Sequence, residues 1–213
     1  MKNKYVKITQ STIWLALLVY FSYLMLDITL QYIPIQYDVA FLRIKQKMIA
    51  YNFYKVAFFT HVFTSMFALI AGFTQFSTFI KKHYPLIHKS MGYVYFIAIL
   101  GFSAPSGFIM GIFANGGWSS QIAFVLLATF WFGFTFMALR TILQGKVLLH
   151  KKYIYFSYAL TLSAITLRLW KQGIAYTFAP YPMDLYRIVA WLGWIPNLII
   201  AYLLTKKIKH GKH

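Results

Sequence analysis

Apolar residues run in six blocks along the chain, and the polar residues between the blocks are few and mostly basic. A helix that crosses a bilayer needs about 20 apolar residues. The blocks at 12–33, 56–80, 90–113, 121–144, 152–174 and 187–205 reach that length. They predict an all-α, polytopic transmembrane bundle of six spans, a single integral membrane domain over 1–213 with no flexible linker. The connections are short except for residues 34–55. There, Pro34 ends the first helix, because it has no N–H and disfavours helix in the residue before it. Asp38 is placed to cap a new helix, whose apolar face carries Val39, Leu42, Gln46, Ile49 and Phe53, with Arg43 and Lys47 beside it. That pattern predicts an amphipathic segment over 38–53 at the outer interface, either a lid over an outer cavity or a lead into the second span.

Within the blocks, positions spaced i, i+4, i+7 and i+11 share a helix face. In lipid, a small and polar face turns toward other helices, because small residues allow close approach and polar groups need partners. The second block carries His61, Ser65, Ala68, Gly72 and Gln75 on one face. The third carries His88, Gly92, Tyr95, Ile99 and Ser103, with Pro105, Gly107 and Gly111 loosening its outer end. The fourth gives Thr129, Gly133, Phe136 and Arg140. The fifth gives His150, Ile154, Ser157, Thr161, Ala164 and Arg168. The first offers Tyr20, Tyr23, Asp27 and Gln31, and the sixth Trp194, Asn197 and Ala201.

Composition agrees with this class and narrows it. Of 213 residues, 60% are hydrophobic and 11% are charged, with a formal net charge of +18. A soluble domain runs nearer ~25% charged. With the N-terminus in the cytoplasm, 14 basic residues fall on the inner side and 6 on the outer, which fits the positive-inside bias. Both termini are then cytoplasmic. The basic start (Lys2, Lys4, Lys7) precedes an apolar run too long for a signal peptide and without a small-residue cleavage site, so it reads as a retained first span. The expected location is the bacterial cytoplasmic (inner) membrane. The expected partner of the basic side is anionic lipid headgroups. Nucleic acid is not an expected partner, since the chain has no soluble surface on which to display a basic patch. Oligomeric state is left open.

The chain has no Cys and three acidic residues. That excludes thiolate catalysis and iron–sulfur clusters, and disfavours di-metal carboxylate sites and paired-carboxylate hydrolysis. A zinc-hydrolase set is also disfavoured: His83, His88 and His150 have no acidic general base beside them. Two groups of residues remain as candidates. Asp27, His61 and Arg168 all fall in the outer third of their spans. One reading is a salt bridge between Asp27 and Arg168 with His61 hydrogen-bonded nearby. The other is an outer polar site for a lipid headgroup, a quinone or a proton. The second group is His88 and His150, at the inner ends of parallel helices, in segments that echo each other (85–96 and 147–156). Two neutral imidazoles on facing helices suit the iron of a single haem b. The fourth span has no histidine, so His61 has no evident axial partner for a second haem. The competing reading is a non-enzymatic lipid-binding or accessory protein in which these residues are structural.

The pattern His61, Ala68, Gly72, Gln75-Phe76, Pro85, His88-Lys89, Gly92, Tyr95, Trp131, His150-Lys151, Ala164, Thr166 and Arg168 resembles a prokaryotic family of predicted membrane proteins, domain of unknown function 2306. The resemblance covers roughly 56–172. It implies that His61, His88, His150 and Arg168 belong to the family pattern, with Gln75, Gly72, Gly92 and Tyr95 in support. It implies no activity. The family commonly has Arg after its second His, where this chain has Lys89, which keeps the charge but not the planar fork.

Overall fold

A computed structural model of the chain describes residues 12, 16, 19–206 and 208. The basic residues Lys2, Lys4, Lys7, Lys207, Lys209 and Lys212, on which part of the predicted orientation rests, lie outside the described residues. The chain divides into two compact units, 1–46 and 47–213, and each is described by itself.

In the first unit, α1 (Val19–Leu30) is apolar but shorter than a span, and part of the predicted block 12–33 lies outside the described residues. The face predicted from Tyr20, Tyr23, Asp27 and Gln31 is exposed. A 3-10 helix follows at Ala40–Lys45. Its cap position is Val39, with no side-chain cap bond, so the predicted capping by Asp38 does not occur. The Asp38 backbone carbonyl instead accepts from Arg43 Nε at 2.8 Å. A single α turn, Gln46–Ile49, comes next, and extended backbone at Tyr51 interrupts the helix before Asn52. The continuous amphipathic helix predicted over 38–53 is therefore two short helical pieces and the start of the long helix that begins at Asn52. Of the residues on the predicted apolar face, Leu42 and Ile49 are buried while Gln46 and Phe53 are exposed, and Lys45 is also buried. Gln46 is held at the surface because its side-chain amide donates to the carbonyls of Tyr37 and Leu42.

All the described elements of the second unit are helical. They are α2 (Asn52–Thr74), α3 (Thr78–His83), α4 (Pro85–Ile112), α5 (Trp118–Leu143), α6 (Val147–Thr161), α7 (Ser163–Phe178), α8 (Pro182–Leu192) and α9 (Ile195–Lys206). Among the described residues, four stretches are long and apolar enough to cross a membrane: α2, α4, α5, and α8 with α9 taken together as Pro182–Lys206. They correspond to four of the six predicted blocks. The block 56–80 ends early, at Thr74, because Ser77 starts a new helix by accepting from the Ile80 N–H at 3.2 Å. The block 152–174 is two helices, 15 and 16 residues long, that meet at Leu162.

Sequence-local rules place the turns. At the end of α5, Gly145 takes a positive φ of 72°. Its N–H bonds the Ile142 carbonyl and the Lys146 N–H bonds the Thr141 carbonyl, the paired closure that a left-handed glycine permits. Pro85 and Pro182 open α4 and α8 at the first helical position, where a missing N–H costs nothing. Pro105 acts inside α4. It lacks an N–H and its ring presses on the preceding turn, and the helix just before it widens to a π-helix over Ile97–Ser103. Such bulges recur at functional sites.

Neighbouring helices run antiparallel, as contacts at both ends of each pair show. For α2 and α4, His61 meets Ser103 and Gln75 meets His88. For α5 and α6, Trp131 meets Thr161, Thr135 meets Ser157, and Ala138 meets His150. The predicted faces of the second, third, fifth and sixth blocks turn inward. The fourth does not: Thr129, Phe136 and Arg140 are exposed. The inward face of α5 is Ala128, Trp131, Thr135 and Ala138. A block apolar all round gives little periodic signal, and the small residues on both faces of α5 make two faces look alike.

Candidate functional site

Three groups of polar side chains in the second unit include the residues singled out by the sequence. The middle group is a network of buried hydroxyls. Tyr95 Oη on α4 lies 2.7 Å from Ser157 Oγ and 3.0 Å from Thr161 Oγ1, both on α6. From α5, Trp131 Nε1 donates to Thr161 Oγ1 at 3.0 Å, and Thr135 Oγ1 lies 2.6 Å from Ser157 Oγ and 2.6 Å from the Trp131 carbonyl. One assignment of protons satisfies every hydroxyl. Trp131 donates to Thr161, Thr161 to Tyr95, Tyr95 to Ser157, Ser157 to Thr135, and Thr135 to the Trp131 carbonyl. In an apolar medium an unmade hydrogen bond is costly, so this loop locks α4, α5 and α6 in one register. Tyr95 was legible as a family position and Ser157 and Thr161 as an inward face. Thr135 was missed, because the wrong face of α5 was read as inward. Gly72 completes the packing: a Cβ there would stand 2.6 Å from ring carbons of both Tyr95 and Tyr158. Only a glycine lets α2 approach those rings.

The second group surrounds His61. Its Nδ1 lies 2.8 Å from the carbonyl oxygen of Ser103, in the π-helical turn. A carbonyl only accepts, so Nδ1 carries the proton and Nε2 is the bare nitrogen of the neutral ring. Ser103 Oγ lies 2.7 Å from Thr64 Oγ1. The Trp131 ring meets the imidazole edge-on at 6.4 Å. Gly107 leaves the imidazole its space, since a Cβ there would come within 3.0 Å of Cε1 and Nδ1. Arg168, on α7, donates from Nη1 to the Ala164 carbonyl at 2.6 Å. His61 and Arg168 both lie in the second unit. Asp27 belongs to the first unit, where it is exposed. The part played by the Ser103 carbonyl was not legible, but Pro105 was the signal for it.

The third group is at the opposite end of the bundle. His88 and His150 are each the fourth residue of their helices, α4 and α6, so the echo between 85–96 and 147–156 extends to helix position. Lys81 bears electrostatically on both imidazoles. His150 Nδ1 lies 2.9 Å from the Ala138 carbonyl and by the same argument donates to it, leaving Nε2 bare. His150 precedes the predicted fifth span. Burial pushes its pKa below the ordinary imidazole range, and Lys81 and Lys151 push the same way against the Ala138 carbonyl. His88 differs. Its backbone carbonyl accepts from Gln75 Nε2 at 3.1 Å, but its ring Nδ1 is buried with no hydrogen-bond partner. Gly92 gives Gln75 room, since a Cβ there would stand 3.3 Å from the Gln75 Oε1. Among the described residues no group of three or more His, Cys, Asp or Glu is placed to hold a metal ion.

The family described as predicted membrane protein (DUF2306) matches residues 58–205. No curated protein and no solved structure matches the chain. The matched region is more than half of the chain and holds all three groups of side chains, and the protein belongs to that family.

Proposed function

We propose that this DUF2306 protein is a six-span protein of the bacterial cytoplasmic membrane, with both termini inside, and that His88 and His150 hold a single haem b through which it carries electrons. The observation that carries this reading is the buried, unpartnered Nδ1 of His88, together with a second imidazole, that of His150, already fixed in one tautomer. Histidines that ligate metals commonly donate their other ring N–H to a carbonyl, which sets the ring and leaves the ligating nitrogen bare. His150 does this through Ala138. Gln75 serves His88 differently, by bracing its backbone. Lys81 is then available to the carboxylates that haem carries. When bound, the iron supplies one-electron chemistry, with a potential set by its axial ligands and burial.

An optical spectrum of the purified protein tests this. We expect a Soret band that shifts on reduction and is lost in both His88→Ala and His150→Ala. A colourless protein from haem-replete cells, with no uptake of added haem, would contradict it. One observation favours a second reading, in which the chain is a non-enzymatic lipid-binding protein: Lys81 acts on both imidazoles, an arrangement that also suits an anionic headgroup. The same spectrum separates the two.

A further inference from the structure

Two helical stretches of the second unit are interrupted, and the interruptions meet. α6 gives way to α7 at Leu162, and α8 gives way to α9 at Gly193 and Trp194. Pro196 keeps the second break open, because without an N–H it cannot bond the Leu192 carbonyl one turn back. Side chains tie one break to the other. Asn197 Nδ2 donates to the Ala159 carbonyl at 3.0 Å and to Thr166 Oγ1 at 3.0 Å, and Thr166 Oγ1 donates to the Gly193 carbonyl at 2.5 Å. Gly193 permits the approach, since a Cβ there would stand 2.9 Å from Leu167 Cβ. The α7–α8 hairpin, residues 163–192, therefore joins the rest of the unit through two chain crossings that are bonded to each other.

Beyond that junction the hairpin is lightly held. Ser163 and Ile165 are the buried residues of α7, and from Leu169 to Phe178 every residue but Ile174 is exposed. Sparse burial of this kind marks a segment that opens at low cost. α8 makes the attachment, along a seam with the N-terminal end of α5. Trp191 Nε1 donates to Ser119 Oγ at 3.0 Å, and Arg187 Nε donates to the Gly116 carbonyl at 2.9 Å. The same seam buries a polar atom that has no partner, Ser120 Oγ. A Cβ on Gly116 would meet that oxygen at 2.5 Å, Tyr186 Cδ1 at 3.1 Å and Arg187 Cγ at 3.2 Å, so the hydroxyl lies where the Gly116 loop meets α8. An unmade hydrogen bond is a cost of the closed seam, recovered when the group reaches water. Two hydrogen bonds close the seam and one orphaned hydroxyl opposes them.

We propose that the α7–α8 hairpin is a gate. It swings about Leu162 and Gly193, where a few residues at element ends absorb the change in backbone angles. Opening parts α8 from the start of α5, releases Ser119 and the Gly116 carbonyl, and hydrates Ser120 Oγ. Trp191 and Arg187 are the latch. The gate does not depend on what His88 and His150 hold.

The chain has no Cys, so spin labels at Tyr176→Cys on α7 and Ile112→Cys on α4, both exposed, report the distance across the gate without further changes. The full-length protein is measured in nanodiscs by double electron–electron resonance. We expect two distances. Trp191→Phe, which loses one latch bond, should raise the ratio of open to closed about threefold, the worth of an average hydrogen bond between membrane helices. Ser120→Ala removes the hydroxyl that the closed seam leaves unpartnered, and should lower the ratio by a similar factor. Gly133→Ala, where an added Cβ meets nothing within 4 Å, should leave it unchanged. Hydrogen exchange of the unlabelled protein needs no variant: the amides of 163–192 should exchange as one block, ahead of those of α5 and α6. A single distance, a ratio that the Trp191 and Ser120 variants do not move in opposite directions, or exchange of 163–192 no faster than that of α5 and α6 would overturn the proposal.

Discussion

In the middle of the bundle Tyr95, Ser157, Thr135, Thr161 and Trp131 close a loop in which every hydroxyl has a partner, whereas at its Lys81 end His88 keeps a buried ring nitrogen with none. Both regions are polar groups carried by apolar helices, and both lie in the stretch that matches the family. The difference between them separates structure from function. A satisfied network has nothing left to offer a ligand, and its value is in fixing helix register. An orphaned nitrogen is a standing cost in the folded chain, which a ligand can remove. If the haem proposal holds, substitution should cost stability in the first region and cofactor in the second.

The largest effect is expected where the network meets α2. In Gly72→Ala the new methyl would stand 2.6 Å from two tyrosine rings, and overpacking of this kind costs about 1–3 kcal/mol. Thermal or denaturant unfolding in detergent should show a loss toward the upper end. Tyr95→Phe keeps the ring and removes the hydroxyl that joins Ser157 to Thr161. Hydrogen bonds between membrane helices average ~0.6 kcal/mol and reach ~1.7, and a hydroxyl with two partners should fall near the top of that range. His150→Phe breaks one bond, to the Ala138 carbonyl, so a loss near ~0.6 kcal/mol is expected, together with loss of any Soret band. His88→Phe removes no hydrogen bond made by the ring Nδ1, and its stability should lie within about 0.5 kcal/mol of the unaltered protein. If His88→Phe destabilised the fold as much as Tyr95→Phe, the contrast between the regions would fail.

How much of this was legible differs by element, and the reasons are physical. The blocks behind α2, α4 and α5 and the block 187–205 were visible because a long apolar run has few other interpretations. The inward faces of α2, α4 and α6 were visible because each mixes small and polar residues at helical spacing. His61, Gly72, Gln75, Tyr95, Ser157 and Thr161 were all found that way. The face of α5 was misread for lack of contrast, and Thr135 was lost with it. The break at Leu162 could not be read, because neither Gly nor Pro marks it. Pro105 was read as a loosening of the outer end of the helix. Its effect runs toward the N-terminus instead, where it opens the turn that presents the Ser103 carbonyl to His61. The capping by Asp38 failed because the helix it would start is a short 3-10 turn, whose arginine takes the aspartate's backbone carbonyl instead. Pairing choices, such as Trp131 with Thr161 or His150 with Ala138, depend on the register between helices, and no single helix carries that information.

The most direct test is to purify the unaltered protein and His88→Phe side by side from haem-replete cells, and to record the optical spectrum and the unfolding midpoint of each. The account predicts a Soret band in the unaltered protein, its loss in His88→Phe, and nearly equal midpoints once haem is removed from both. A Soret band unchanged in His88→Phe, or absent from both proteins, would contradict it.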